Sequence, residues 1–168
     1  MEFSEYIPCS ACGEDVTPDS DFCPHCGVLF RDADEERCEL HPETKASGVC
    51  IICRRLVCRE CDKTVNGRRF CRDHQGVVVQ QDWALVFQST DINESGLAKS
   101  FLESNGFKVL VQNFEPVGYV WDGGGDSAIS RSNISKPAKV FVPIPEYLRA
   151  AEAFKEWNSG RIDSDQGS

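Results

Sequence analysis

Residues 75–168 contain no cysteine, although the chain carries ten. This splits the 168 residues into a stretch with metal or disulfide chemistry and a stretch that folds without either. Long apolar runs are also missing. The strongest are short segments such as 83–87 and 140–142, far below the roughly 18 apolar residues of a membrane span, so no membrane-spanning helix is expected. Cations are outnumbered, 18 Lys and Arg against 27 Asp and Glu, for a formal net charge of −9. A general nucleic-acid binder needs a basic face for phosphate, and this composition argues against one. Residues 1–30 lack the basic start and apolar core of a secretory signal. With the cysteine spacing described next, that sets aside a secreted disulfide scaffold and predicts a soluble protein of the reducing cytoplasm.

What the first 74 residues have is ligand pairs. Ten cysteines and two histidines form Cys9/Cys12, Cys23/Cys26, Cys38/His41, Cys50/Cys53, Cys58/Cys61 and Cys71/His74, each with two residues between its members. A two-residue gap lets both ligands of a tight turn point at one metal, and six pairs supply three four-coordinate zinc sites with no cysteine left over. The segment is too short and polar to stabilise itself by apolar burial alone. Structural zinc closes that gap, because its binding contributes roughly 10–16 kcal/mol to folding in small modules.

Cys9-Ser-Ala-Cys12-Gly13 and Cys23-Pro-His-Cys26-Gly27 are two knuckles of one design, each with a glycine that permits the turn toward sulfur. Ten residues separate them, enough for a short hairpin. Residues 5–31 resemble the zinc ribbon family, with a full four-cysteine set. His25 lies inside the second knuckle, where the tetrahedron is already complete, and reads as a bystander.

The remaining four pairs are spaced by eight, four and nine residues. The four-residue link between Cys53 and Cys58 places consecutive pairs on different metals readily. This favours an interleaved arrangement: Cys38, His41, Cys58 and Cys61 on one zinc, and Cys50, Cys53, Cys71 and His74 on the other. A sequential arrangement also gives two three-cysteine, one-histidine sites and stays open on spacing. Cys38-Glu-Leu-His41-Pro42, Cys50-Ile-Ile-Cys53-Arg-Arg-Leu-Val-Cys58-Arg-Glu-Cys61 and Gly67-Arg-Arg-Phe-Cys71-Arg-Asp-His74 are similar to a B-box zinc finger over residues 37–75. The resemblance implies a cross-brace around two zincs, hence the interleaved assignment. One departure is the final Cys–His pair, where many B-boxes use two histidines; it changes ligand softness but not ligand number.

No catalytic constellation accompanies these ligands. Zinc coordination occupies the thiolates and imidazoles that would otherwise form nucleophile–base pairs, and complete ligand sets leave no position for a reactive water. The chain therefore reads as a nonenzyme. Between Arg54 and Arg72 seven cations stand against Glu60 and Asp62. Their ordinary role is to offset the zinc–thiolate charge in solvent. As a partner surface, Arg54, Arg55, Arg68 and Arg69 are the candidates, with a protein as the expected partner and nucleic acid as the alternative. Asp32, Asp34, Glu35 and Glu36 read as a solvated linker.

After a linker at 76–82, residues 83–157 alternate between strand and helix patterns. Residues 83–87 read as a buried strand, and Asp91 with Glu94 as a capping-box start to a helix with Leu97, Ala98, Phe101 and Leu102 inward. Asn105-Gly106 stops it, and 107–111 follows as a strand with Phe107, Val109 and Val111 on one face. A strand at 138–144 leads to a last helix ending near Trp157, with Leu148, Ala151 and Phe154 inward, and 158–168 reads as a flexible tail. Residues 114–121 are a further strand candidate. The Gly123-Gly124-Gly125 run lacks the Gly-Lys-Ser/Thr ending and following helix of a phosphate loop, so 112–137 reads as a surface loop, the first place to seek a small ligand. The Asn93-Glu94-Ser95-Gly96-Leu97-Ala98-Lys99 and Leu102-Glu103-Ser104-Asn105-Gly106-Phe107 segments, with Val140-Phe141-Val142-Pro143, resemble a prokaryotic family described as signal-transducing, related in fold to PII-like and ferredoxin-like modules. The expected whole is multi-domain: zinc ribbon, B-box-like cross-brace, then a small α+β ferredoxin-like domain, serving as a zinc-binding scaffold with a regulatory role.

Overall fold

The computed structural model describes residues 5–30, 35–114 and 136–164. Two units, Met1–Val77 and Val78–Ser168, account for the chain. Metal-binding turns recur so often in the first that its described strands are only two or three residues long. They form three antiparallel hairpins: β1 (Ile7–Pro8) with β2 (Asp15–Val16), β3 (Gly48–Val49) with β4 (Leu56–Val57), and β5 (Lys63–Val65) with β6 (Arg68–Phe70). Asn66 and Gly67 join β5 to β6 with φ of 50° and 76°, both left-handed, as a two-residue turn between right-twisted strands requires. Val49, Ile51, Ile52, Val57 and Phe70 are buried beside the thiols. So few apolar side chains make a thin core, which is why ligand clusters must supplement it.

The second unit is a four-stranded antiparallel sheet in the order β7 (Val79–Gln80), β8 (Trp83–Ser89), β10 (Ala138–Pro143), β9 (Leu110–Gln112). Helix α1 (Ile92–Ser104) connects β8 to β9, and β10 lies between those strands. A 3₁₀ turn (Ile144–Glu146), opened by Pro145, leads into α2 (Tyr147–Ser164). Both helices share a core with Val140 and Val142, through Leu102 of α1 and Ala150 of α2. β7 occupies part of the predicted linker: Val79 and Gln80 pair with Ala84 and Trp83, so the unit begins before residue 83.

Several local expectations shift for identifiable reasons. Asp91 caps α1 by accepting from the Asn93 N–H at 2.8 Å, but Glu94 does not close the box. The Ser89 hydroxyl intervenes, donating to Glu94 at 2.7 Å and accepting from the Asp91 N–H at 3.1 Å. The inward row of α1 is Ser95, Ala98 and Leu102, while Leu97 is 50% exposed. Ser95 is tolerated there because its hydroxyl donates to the Asp91 carbonyl. At the other end, Gly106 at φ 83° donates to Glu103 and Phe107 to Leu102, a Schellman closure. That turn consumes Phe107, so β9 starts at Leu110 instead of 107.

Helix α2 runs seven residues past the predicted end at Trp157, into the expected tail. The Arg161 guanidinium lies 4.8 Å from the Trp157 ring centroid, one turn away, and Ser159 donates to the Lys155 carbonyl. The inward residues include Tyr147, Ala150 and Ala153, with Phe154 against Phe87 and Phe101; Leu148 faces solvent. Residues 115–135 lie outside the described residues, and with them the predicted strand at 114–121 beyond Phe114, the Gly123–Gly125 run and most of the proposed ligand loop 112–137. Among the described residues no helix is long and apolar enough to cross a membrane.

Candidate metal centres

Three knuckles share one backbone design. In the first, the Cys9 N–H donates to the Glu14 carbonyl and the Gly13 N–H to the Cys9 carbonyl, both at 2.8 Å. In the second, Cys23 donates to Val28 and Gly27 to Cys23, again at 2.8 Å. The third is Cys50 donating to Arg55 and Arg54 donating to Cys50, both at 2.9 Å. Each needs a left-handed residue after its second cysteine. Gly13 and Gly27 have φ of 80° and 84°, and Arg54 adopts 63° without glycine's freedom. Its guanidinium lies 5.3 Å from the Phe22 ring centroid, a cation–π contact that offsets part of the strain. Aligning Cys9-x2-Cys12-Gly13 with Cys50-x2-Cys53-Arg54 would have revealed this position from sequence.

The knuckles and turns assemble three sets: Cys9, Cys12, Cys23 and Cys26; Cys38, His41, Cys58 and Cys61; Cys50, Cys53, Cys71 and His74. Within each, one ligand atom per residue lies within 4.8 Å of the others. The second and third sets interleave along the chain, which is the arrangement spacing favoured. His25 joins none of them.

The dimensions suit zinc. A regular tetrahedron with Zn–S of about 2.3 Å and Zn–N of about 2.0 Å places sulfurs roughly 3.8 Å apart and sulfur roughly 3.5 Å from nitrogen. The Cys9–Cys26, Cys12–Cys23, Cys38–Cys61 and Cys53–Cys71 sulfur pairs stand at 3.9, 3.7, 3.9 and 3.8 Å. His41 Nδ1 is 3.3–3.9 Å from its three sulfurs, at 3.9 Å from Cys38, 3.5 Å from Cys58 and 3.3 Å from Cys61. His74 Nδ1 is 3.2 Å from Cys71 and 3.8 Å from Cys50. Those sulfur pairs are far longer than the roughly 2.05 Å of a disulfide, and all ten cysteines are unbridged. The chain thus carries three Cys/His sites for Zn²⁺.

Proton sharing shows why a cation belongs there. A hydrogen bond with the Cys53 thiol holds Cys50 down to about 4 from 9.0, against burial. The same bond, followed by burial, drives Cys53 up. Without a cation only one of the two is a thiolate; zinc stabilises both in that form. Each of the three sets offers four protein ligand atoms, the number a tetrahedral zinc takes.

The four arginines singled out for a partner are engaged within the zinc unit. Arg54 stacks on Phe22, and Arg68 donates to the His25 carbonyl at 2.9 Å. Arg55 reaches Glu39 at 3.5 Å and Asp73 at 3.1 Å. Glu39 lies between Cys38 and His41 and Asp73 between Cys71 and His74, so Arg55 links the two interleaved sites. Arg69 pairs with Asp62, which follows Cys61 directly. Sequence showed the charge of this run but not these contacts, because every partner except Asp62 is at least sixteen residues away.

Curated proteins and solved structures give no match to the chain. Residues 5–30, the segment with the four-thiol set, match the zinc-ribbon domain family.

Proposed function

We propose that this protein is a noncatalytic zinc scaffold that binds another protein, with a regulatory second unit. The observation that carries the reading is that each zinc site has four protein ligands, which suits cross-linking rather than reaction chemistry. The interleaved sites act as a B-box-like cross-brace. In the second unit, β8–α1–β9 with β10 between them supports a ferredoxin-like reading, with β7 as the edge strand beside β8. The resemblance of residues 83–157 to prokaryotic signal-transducing domains supports a cytoplasmic, regulatory setting.

With Arg54, Arg55 and Arg68 holding internal contacts, the partner surface is assigned to a groove of about 1060 Å³ in the zinc unit. Val28, Leu29 and Ala46 give it apolar contact, and Arg37, Arg59 and Glu60 place charge along its wall. Apolar area flanked by charges of both signs fits a protein segment better than a uniformly anionic backbone. The test is affinity capture of the intact zinc-loaded protein at low and high salt, in parallel with Arg37→Glu/Arg59→Glu. One stoichiometric protein kept by wild type at high salt, and lost by the variant with zinc content unchanged, supports the reading. Nucleic acid recovered only at low salt would replace it.

A further inference from the structure

The two ribbon knuckles have the same internal hydrogen bonds but different surroundings. A Cβ built on Gly13 meets nothing within 4 Å, whereas one on Gly27 falls 2.2 Å from the Val49 carbonyl oxygen and 3.0 Å from Arg69 Cβ. Gly48 faces the same junction: its Cβ would lie 2.4 Å from Arg69 Cδ and 2.9 Å from the Gly27 carbonyl oxygen. The absence of side chains at both positions lets two backbones meet. Val49 N–H donates to Gly27 at 2.8 Å, Arg69 N–H to Cys26 at 3.0 Å, and Ile51 N–H to Arg69 at 3.0 Å. Val49 and Ile51 flank Cys50, Arg69 is two residues before Cys71, and Cys26 and Gly27 are a ribbon ligand and its turn. A continuous backbone network therefore joins the ligands of two zinc sites.

We propose that the ribbon site (Cys9, Cys12, Cys23, Cys26) and the Cys50/Cys53/Cys71/His74 site bind zinc cooperatively through this junction. Zinc in the ribbon fixes Cys26 and Gly27 where their carbonyls receive the Arg69 and Val49 amides; zinc in the other site fixes those amides. Each metal lowers the ordering cost of the other, and the coupling is reciprocal. The first knuckle contributes its ligands Cys9 and Cys12 to the ribbon zinc, but its glycine makes no such backbone approach, since a Cβ on Gly13 would meet nothing within 4 Å. The coupling goes beyond the adaptor reading and stands without it.

The test separates the sites by ligand chemistry. In cadmium-loaded full-length protein, NMR resolves the four-thiolate ribbon site from the three-thiolate sites, and a competing chelator titrates each. Gly48→Ala lies far in sequence from every ribbon ligand, yet it should weaken the ribbon site about ten- to a hundredfold, the range for losing two backbone hydrogen bonds and their packing. The reciprocal arm is amide exchange of Cys9→Ser/Cys12→Ser in saturating zinc. Val49 and Arg69 should lose protection, while Cys50 and Ser47, which donate to Arg55 and Val57, keep theirs. Unchanged ribbon affinity in Gly48→Ala, or unchanged protection of Val49 and Arg69 in the ribbon variant, overturns the proposal. If Gly48→Ala does not fold, the exchange arm decides alone.

Discussion

Replacing Arg54 distinguishes a strained knuckle residue from a surface cation. At φ 63° a residue with a Cβ costs roughly 1–2 kcal/mol, and the stack on Phe22 returns about 0.5–1 kcal/mol. Arg54→Gly removes the strain and the stack, and adds about 0.4–1 kcal/mol of unfolded-chain entropy. Those changes nearly cancel, so the glycine variant should lie within about 1 kcal/mol of wild type. Arg54→Ala keeps the strain and loses the stack, for a net loss of about 0.5–1 kcal/mol. Arg54→Val adds branching at a left-handed position and should be the weakest of the three. Tryptophan fluorescence cannot follow this, because Trp83, Trp121 and Trp157 all lie outside Met1–Val77. Zinc release to a chromophoric chelator along a urea gradient does. The expected order of midpoints is wild type and glycine together, then alanine, then valine. Equal midpoints for the three variants, or glycine below alanine, would show that the knuckle does not impose this conformation.

Other perturbations separate the remaining forces. Leu102→Ala should cost about 2–5 kcal/mol in the tryptophan-monitored unfolding of the second unit, as its side chain is fully buried, and leave zinc retention unchanged; parallel loss of zinc would refute independence of the units. Arg55→Ala should cost under about 1 kcal/mol, because the side chains of Arg55, Glu39 and Asp73 are 33, 53 and 69% exposed, and high salt should erase the difference in zinc-release midpoint. Acid should strip zinc. In the metal-free site the Cys53 thiol depresses Cys50 from 9.0 to about 4, a contribution complete above pH 9.0 and lost as pH falls toward about 4; with zinc bound, protons compete with the metal for the same sulfurs, in the same direction. Metal analysis after dialysis at stepped pH measures this, and full retention through pH 4 would contradict it. Asp91→Ala should cost roughly 0.5–2 kcal/mol by removing the α1 cap, read as a lower melting temperature of the second unit.

Sequence alone determined what depends on near neighbours. Two-residue spacing picked out the twelve residues that the fold gathers into three clusters, because a tight turn brings both members of a pair to one point whatever surrounds it. Asp91 and Gly106 marked the ends of α1 for the same reason: a cap acts within one turn. The inward faces were less legible. Leu97 and Leu148 are apolar at plausible helical positions, yet Ser95 and Ala150 take the inner rows, since the space against Val140 and Val142 is set by the sheet. Tertiary structure also decided that Val79 and Gln80 form an edge strand, for pairing requires the partner strand to be in place. Above all it decided the fate of the arginines. Charge is written in the sequence, but whether a guanidinium meets water, a ring or a carbonyl depends on segments brought together only when the metal sites close.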